Sequence, residues 1–424
     1  MEEDIYRSQH GHVSASEKRV KNRLESIVEI AEERNKYEAA HNPEINKALG
    51  KVKQFIIRKR RVCYGGTAMN AILPKEKRFY NPEMDLPDYD FFTPESDADI
   101  HDLVKELKSD GFEDVHHRLG IHEGTSKIFV NFVAIADITA ISKEVYGIFL
   151  KRAIKKEGMY YTDPDILRMM MYLEISRPKG MVSRWDKVFE RLQLINGVFP
   201  PKGGRERGST RKAKHPTSPN DVRTGIYDFC IENQRVLITG GLDKYYGIVI
   251  KRATPNFNLE MTSDPIGFMC PDVKADAKVL QKFLGGPEKC KLYLHEPRGE
   301  IVPQHVEVRY NGTPVAFLLE EAACHAYLNF PLRDGRSIAI ASLDTLITVY
   351  YSLSIFTKRL KELIPGINYK IAEFIKLTEE NRRQKDPNIP AFPISCRGYQ
   401  KGFPTLLREK AARVKKARET IQMI

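Results

Sequence analysis

The chain opens with a long amphipathic pattern. Apolar residues recur at helical spacing between residues 16 and 40, and a Ser14-x-x-Glu17 capping box stands at their start. This pattern predicts one amphipathic helix. Its apolar positions are Val20, Leu24, Ile27, Val28 and Ile30.

Short β-like and helical patterns alternate from residue 46 to residue 198, which predicts a mixed α/β domain. Residues 165–174 indicate a buried helix whose methionines belong to the core. A similar alternation runs from about residue 226 to residue 355, and helices are predicted from there to the C-terminus.

Two segments are strongly basic. Residues 201–225 contain seven Lys or Arg and two acidic residues, with four Gly and three Pro, which predicts a flexible connector or long loop. The last predicted helix, residues 408–418, contains six Lys or Arg and one Glu. Taken alone, that helix is an ordinary solvated surface element.

Three short blocks recur in the same order in both halves, which favours an internal duplication. In the first block, Arg61-Val62 and Gly65-Gly66 correspond to Arg235-Val236 and Gly240-Gly241. In the second, His117 with Gly124-Thr125 corresponds to His305 with Gly312-Thr313. In the third, a helix that starts at Asp165 corresponds to one that starts at Asp344.

Composition narrows the class of protein. The 424 residues suffice for two or three domains, and a formal charge of +12 suits a polyphosphate or nucleic-acid partner. The longest apolar stretch, residues 128–141, is too short and too polar to span a membrane, and the charged N-terminus lacks a secretory signal. We therefore expect a soluble intracellular protein. Six cysteines without CxxC spacing predict reduced thiols.

The candidate chemistry begins at Gly65-Gly66-Thr67, between a β-like run and a helical one. A tight glycine turn at a helix start presents backbone N–H groups to a phosphate, and the Thr67 hydroxyl can add a donor. A glycine pair by itself is equally typical of a simple turn.

Two acids follow, Asp88 and Asp90, in the sequence Pro87-Asp-Tyr-Asp-Phe-Phe. In a strand, both carboxylates point to the same side, where a hard cation such as Mg²⁺ relieves their repulsion. The alternative is an exposed acidic loop, which the nearby prolines favour. Asp137, at the end of a very apolar run, is the best third ligand, although a helix cap or a salt bridge also explains a carboxylate there. Asn131 is the poorer, uncharged alternative.

The segments YGGTAMNAIL, LPDYDFF, KIFVNFVAIADITAI and DPDILRMMMYLEISRP resemble the poly(A) polymerases of giant DNA viruses and, more distantly, the poxvirus poly(A) polymerase catalytic subunit. GG followed by DxD and a later strand Asp is typical of the polymerase-beta-type nucleotidyltransferases. The resemblance is strong over residues 50–180. It departs from the superfamily in the gap of 21 residues between Gly66 and Asp88, which we interpret as a surface loop.

The resemblance implies a fold and its division. We expect a mixed α/β, polymerase-beta-like nucleotidyltransferase domain over residues 46–198 after an N-terminal helical segment of residues 1–45. A basic linker of residues 199–225 and a second, degenerate nucleotidyltransferase-like lobe of residues 226–424 with basic C-terminal helices would follow. The second lobe is predicted to be inactive, because residues 256–261 contain no acidic pair.

The resemblance also implies a reaction, the transfer of AMP from ATP to the 3′-hydroxyl of mRNA. Asp88, Asp90 and Asp137 would hold two Mg²⁺ or Mn²⁺ ions. Gly65, Gly66 and Thr67 would bind the nucleotide with Lys151 and Arg152, which are equally well explained as surface charges. The candidate RNA contacts are Arg205, Arg207, Arg211, Lys212, Lys214, Arg413, Lys415 and Lys416.

Alternatives stay open at this point. The same motif serves CCA addition, uridylyl transfer and nucleotidylation of a small molecule, and an RNA-binding scaffold with an inactive core belongs to another class. The resemblance implies no membrane and a location in the host cytoplasm, in viral factories or in the virion. A homodimer is a candidate assembly, and no obligate processivity subunit is assumed.

Overall fold

The computed structural model describes residues 15–203, 220–252, 265–299, 301–332 and 334–422. Its first half contains α1 (Ala15–Ala40), α2 (Pro43–Lys59), β1 (Val62–Cys63), α3 (Gly65–Ile72), β2 (Tyr89–Thr93), α4 (Ser96–Ser109), β3 (Val115–Leu119), β4 (Thr125–Val130), β5 (Val133–Ala140), α5 (Lys143–Arg152), β6 (Ile154–Lys156), β7 (Met159–Tyr161), α6 (Pro164–Ile175) and α7 (Trp185–Val198).

The second half contains α8 (Asn220–Glu232), β8 (Val236–Leu237), α9 (Leu242–Arg252), β9 (Ile266–Cys270), α10 (Val273–Phe283), β10 (Cys290–His295), β11 (His305–Tyr310), β12 (Thr313–Glu320), β13 (His325–Pro331), β14 (Ser337–Ala341), α11 (Leu343–Phe356), α12 (Lys358–Leu363), α13 (Ile367–Arg383), β15 (Cys396–Arg397) and α14 (Phe403–Gln422).

The two halves are built on sheets of the same topology. The first sheet has the order β3-β4-β5-β2-β1-β7-β6, and the second has β10-β11-β12-β9-β8-β14-β13 with β15 added at its edge. Strand directions agree as well: β1 is antiparallel to β2 and parallel to β7, as β8 is to β9 and β14. The predicted mixed α/β fold is confirmed, and the second lobe repeats the topology of the first, as predicted.

An ion pair recurs at the same place in both halves, buried in the first half and partly buried in the second. Arg61, just before β1, donates to Asp99 on α4 over 2.6 Å, and Arg235, just before β8, lies 2.6 Å from Asp276 on α10. A charge in a protein interior is costly unless it is paired. Each pair therefore holds the helix after the second strand to the strand that begins the motif.

One of the three predicted repeat blocks is wrong. His117 lies on β3, whereas His305 lies on β11, the counterpart of β4. The structural equivalent of the Asn311-Gly312 turn is Asn131-Phe132, where the backbone φ of Asn131 is +48° and that of Asn311 is +46°. The equal spacing of the two histidine blocks is a coincidence of loop lengths.

The apolar run of residues 128–141 forms two strands. It turns at Asn131-Phe132, both of which have positive φ, so that β4 and β5 make a hairpin. Asn131 lies in that turn, whereas Asp137 lies in the middle of β5.

Helices α2 and α4 cover one face of the first sheet. Phe55 and Ile56 of α2, with Leu103 and Leu107 of α4, form a core with the inward residues of β2, β4 and β5. A second core extends over both halves, since α6 packs on its counterpart α11. Met169 and Met171 are buried there, as predicted for residues 165–174.

The first helix is confirmed by α1, and Ser14 lies outside the described residues. From Ser16 to Ala39 its residues are exposed, so its apolar side is not covered by the described part of the chain. Helix α2 runs across the predicted boundary at residue 45, and α8 begins at Asn220, inside the predicted linker.

The prediction of six reduced thiols is wrong for two of them. Cys324 and Cys396 form a disulfide across 72 residues of sequence, with their Cα atoms 5.5 Å apart. The other four cysteines are free and buried. Sequence spacing gave no signal, because the pair is brought together by β13 and β15.

No helix within the described ranges has the length and apolar character needed to cross a bilayer.

Candidate active site

Three carboxylates meet on the open face of the first sheet. Asp90 on β2 and Asp137 on β5 are direct partners in the parallel register, and Asp88 immediately precedes β2. One oxygen from each carboxylate lies within 4.8 Å of the other two. The spacing predicted from sequence therefore brings Asp88, Asp90 and Asp137 together. We call these residues the acidic cluster.

The acidic cluster is electrostatically strained without a cation. Burial, followed by the charges of Asp88 and Asp137, raises the pKa of Asp90 to about 8. Asp88 lies at the surface, yet desolvation of its carboxyl and the charge of Asp137 also raise its pKa. Burial is the largest cause of both shifts and the neighbouring carboxylates add to it, so a bound cation would lower both pKa values.

Lys127 on β4 partly neutralises the acidic cluster. Its Nζ atom donates to Asp137 Oδ2 over 2.5 Å, and the two residues are partners in the antiparallel register. The other oxygen, Asp137 Oδ1, is buried and has no hydrogen-bond partner among the described residues. A salt bridge, one of the alternatives raised for Asp137, thus accounts for only one of its two oxygens.

The glycine turn is shaped around Asp90. Gly65 has φ +70°, and a Cβ atom there would overlap Asp90 Oδ2. The Tyr64 N–H donates to the Asp90 carbonyl over 2.9 Å, which ties the turn to β2. Helix α3 begins at Gly65 itself, so its N-terminus faces the acidic cluster.

Thr67 reaches the acidic cluster through the backbone. Its Oγ1 accepts a hydrogen bond of 3.1 Å from the Asp88 N–H. This contact fixes the chain just before β2, and the Thr67 hydroxyl hydrogen can still be donated to a ligand.

The long segment between Gly66 and Asp88 does not displace the acids. Asn70 on α3 accepts hydrogen bonds from the N–H groups of Phe79 and Tyr80, so the segment folds back on α3. The Tyr80 hydroxyl then lies against Gly66, where any side chain would collide with it.

Sequence reasoning missed three cations, Arg184, Lys187 and Arg191, at the start of α7. Positive charge from Lys187 and Arg191 acts on Asp88, and that from Arg184 acts on Asp90. Arg191 donates a hydrogen bond of 3.1 Å to the Tyr80 hydroxyl. The pKa of Lys187 is lowered, first by the positive charge of Arg191 and then by burial. Their spacing of three and four residues places them on one side of a helix, a signal that was available. We call these residues the α7 cations.

Arg152, one of the two predicted nucleotide contacts on α5, is held by other partners. Arg152 Nε donates to Asp163 over 2.5 Å and Arg152 Nη2 donates to Asp165 over 3.1 Å, joining α5 to the start of α6. Lys151 is exposed beside it. No hydrogen bond or ion pair within the described residues joins either side chain to the acidic cluster.

The predicted RNA contacts fall into two groups. Arg205, Arg207, Arg211, Lys212 and Lys214 lie outside the described residues. On α14, Arg413 donates to the carbonyls of Gly120 and Ile121, which anchors that helix to the β3–β4 loop. Lys415 and Lys416 are exposed on the same helix.

The second sheet shows what replaces the acids. Its strand registers equate Asp88 with Pro265, Asp90 with Gly267 and Asp137 with Phe317. The fully buried Phe317 ring lies against Gly267, where a Cβ atom would overlap it. The position predicted for the missing acids, residues 256–261, is outside the described residues, whereas the strand registers place their counterpart at Pro265 and Gly267.

Comparison with known proteins supports the assignment made from sequence. Residues 50–181 match the family model described as "Poly(A) polymerase catalytic subunit". The chain resembles viral poly(A) polymerases. That family match contains the acidic cluster and the glycine turn, and it ends shortly before the α7 cations.

Two viral relatives are similar over the same part of the chain. Each is named "Putative poly(A) polymerase catalytic subunit". The one from Acanthamoeba polyphaga mimivirus is 34% identical over 155 residues, 35% of this chain and 26% of the relative. The one from African swine fever virus (isolate Pig/Kenya/KEN-50/1950) is 29% identical over 167 residues, 38% of this chain and 35% of the relative. The matched segments thus span about a quarter to a third of these relatives' own lengths.

A solved structure is similar over nearly the whole chain. The crystal structure of the Megavirus polyadenylate synthase superposes with a TM-score of 0.75 and covers 97% of this chain and 85% of its own, at 20% identity. This likeness establishes that both halves share a fold with that protein.

Proposed function

We propose that this chain is a template-independent poly(A) polymerase that transfers AMP from ATP to the 3′-hydroxyl of RNA and releases pyrophosphate. The observation that carries the proposal is the acidic cluster beside the glycine-opened start of α3, within the segment that matches the family model. The whole-chain likeness in fold supports it.

The acidic cluster is suited to divalent metal. Its donors are carboxylate oxygens, which Mg²⁺ and Mn²⁺ prefer, and the unpartnered Asp137 Oδ1 is buried beside them. Two bound ions would activate the RNA 3′-hydroxyl and stabilise the charge on the leaving pyrophosphate. In this proposal Asp88 and Asp90 hold both ions, and Asp137 completes the site on the hydroxyl side.

The α7 cations are the proposed triphosphate contacts. They lie near Asp88 and Asp90, and Arg191 reaches Tyr80 against Gly66, so their charges face the same space as the start of α3. Thr67 adds a hydroxyl there. Lys151 and Arg152 remain a prediction from sequence, with less support because Arg152 is engaged by Asp163 and Asp165.

The basic segments are proposed to hold the RNA backbone. Residues 205–214 and α14 contribute much of the excess positive charge, and phosphate contacts of this kind give salt-dependent binding without sequence preference. Reversing the charges of Lys415 and Lys416 should shorten the tails and spare addition of the first nucleotide. Unchanged tail length at moderate salt would count against this role.

Primer extension tests the reaction. A short RNA is incubated with each of the four NTPs in the presence of Mg²⁺, and again with Mn²⁺. Long tails from ATP alone support the proposal. A preference for UTP would favour a uridylyltransferase, a stop after three nucleotides a CCA-adding enzyme, and no extension a non-catalytic RNA-binding scaffold.

The metal ligands are tested by substitution. Asp88→Asn combined with Asp90→Asn should abolish extension, whereas Asp97→Asn, at an exposed position of α4, should leave extension unchanged.

Two further predictions accompany the function. The chain should assemble as a homodimer, which light scattering measures. It should reside in viral factories or virions, which immunolocalisation during infection measures.

A further inference from the structure

The open face of the first sheet continues beyond the acidic cluster onto β4 and β3. Lys127 shares the face of Asp137, because their side chains meet. Phe129 is two residues farther along β4 and therefore on the same face, about 7 Å away. The burial of β4 agrees, since its even-numbered residues are buried and its odd-numbered residues only partly so.

Aromatic rings and cations alternate on this extension. His116 on β3 stacks on Phe129 with ring centroids 5.3 Å apart and planes 7° apart, and the Arg118 guanidinium lies 5.2 Å from the same ring. Phe132, at the hairpin turn, lies 6.0 Å from the His116 ring and is 74% exposed. We call Phe129, His116, Phe132 and Arg118 the aromatic platform.

The position of Phe132 is unexpected for a structural residue. Its φ of +64° is rarely adopted by a bulky side chain, and its counterpart in the second half is Gly312, the residue that fits such a turn. Neither backbone conformation nor burial explains a phenylalanine there. Contact between its exposed ring and a ligand from outside the chain would explain it.

The sheet order decides which substrate the platform faces. The glycine turn follows β1 and the α7 cations lie beside it, whereas β4 and β3 are on the other side of the acidic cluster. If ATP occupies the first side, as the proposed function requires, the second substrate must approach from the second side. Alternating rings and cations suit the bases and phosphates of a single strand.

We propose that the aromatic platform binds the last nucleotides of the RNA, stacking their bases on Phe129 and Phe132 while Arg118 contacts the backbone. The proposal rests on the proposed function for its direction, with ATP and RNA on opposite sides of the acidic cluster. It assigns a task to β3 and β4 that the metal site does not need.

Fluorescence anisotropy tests the platform without catalysis. A labelled 15-nucleotide oligo(A) is titrated with the full chain in the absence of ATP and divalent metal. Phe129→Leu keeps an apolar side chain but removes the ring, and Phe132→Gly introduces the residue of the second half. Each should weaken binding about fivefold or more, the loss expected for one stacked base. Tyr399→Ala, which removes an exposed ring elsewhere, should leave the affinity unchanged.

The position along the RNA is tested with 2-aminopurine. Placed within the last three nucleotides, its fluorescence should be quenched by the wild-type chain and restored by Phe129→Leu, whereas a probe ten nucleotides from the 3′ end should not respond. Affinities within twofold of wild type in both variants, or quenching indifferent to probe position, would overturn the platform. These measurements use no ATP, so they stay informative if primer extension assigns a different nucleotide.

Discussion

Lys127 Nζ lies 2.5 Å from Asp137 Oδ2, while Asp137 Oδ1 is buried without a hydrogen-bond partner among the described residues. The positive charge of Lys127 thus stands next to the place where a metal ion is proposed to bind. An ammonium group this close opposes the entry of a second cation.

Lys127→Met should therefore strengthen metal binding. We expect the apparent dissociation constant for Mn²⁺ to fall on the order of tenfold, because removal of a neighbouring positive charge makes the acidic cluster more negative. Electron paramagnetic resonance of free Mn²⁺, recorded at pH 8.5 without ATP, measures it. Lys108→Met, at an exposed position of α4, is the control. Weaker Mn²⁺ binding in Lys127→Met would mean that Lys127 organises the ligands instead.

Metal-free stability should depend on pH through Asp90. Its pKa is raised to about 8 in the folded chain, above the ordinary value of 3.8, so the folded state holds this proton more tightly than the unfolded state. Stability conferred by that proton is full below about pH 4 and is lost as pH rises to about 8. Thermal melts in EDTA should show this decline, and Asp90→Asn should flatten it.

Magnesium should reverse that trend. Mg²⁺ competes with the proton on Asp90. The apparent affinity of the acidic cluster for Mg²⁺ should therefore drop by up to about tenfold for each pH unit below 8. The stabilisation by Mg²⁺ should accordingly grow with pH. Equal Mg²⁺ shifts in melting temperature at pH 6 and pH 8.5 would contradict the assigned protonation.

Gly65→Ala should strongly impair catalysis. The new Cβ would overlap the Asp90 carboxylate, and φ +70° would cost ~1–3 kcal/mol of strain for a non-glycine residue. We expect kcat to fall at least ~100-fold, because displacement by about 1 Å is that costly in a catalytic site. Gly147→Ala is the control, since nothing lies within 4 Å of its added methyl group. Single-nucleotide extension measures both.

Matched substitutions distinguish the α7 cations from Lys151 and Arg152 of α5 as triphosphate contacts. Lys187→Met should raise KM for ATP by roughly tenfold or more, the effect of losing a charged hydrogen bond. Lys151→Met should change it little. The reverse result would favour the contacts predicted from sequence. Steady-state extension at saturating RNA distinguishes the two helices.

Phe317→Ala should destabilise the second half without altering the chemistry. The ring is fully buried where Asp137 stands in the first half, and truncating such a residue costs about 3–5 kcal/mol. Urea unfolding measures the loss, and kcat at low temperature should remain near that of wild type. A loss under about 1 kcal/mol would show that the surrounding core closes around the gap.

Much of the site could be predicted because its signals are local. Asp88 and Asp90 are two residues apart, and Asp137 lies in a run whose apolar character marks buried strands. The glycine turn and the Arg61 and Arg235 blocks are also short and continuous. Each of these features depends on neighbours in sequence, and the structure brings the three acids together.

The remaining features depend on register and packing. That Lys127 faces Asp137 follows from the pairing of β4 with β5, which turns at Asn131, a break hidden within one apolar run. The α7 cations act on the acidic cluster only because the folded chain brings Arg191 against Gly66 and Tyr80. The Cys324–Cys396 disulfide joins residues 72 apart. The exposure of α1 could not be foreseen from its amphipathic pattern.

The twin ion pairs, Arg61 with Asp99 and Arg235 with Asp276, have a consequence for engineering. These ion pairs serve the scaffold, because the second half keeps its own pair although it has no acids at the cluster position. A feature found in one half alone, such as Lys127 or Phe132, is free to serve chemistry. The chain therefore carries an internal reference, against which each residue of the first half can be sorted before any variant is made.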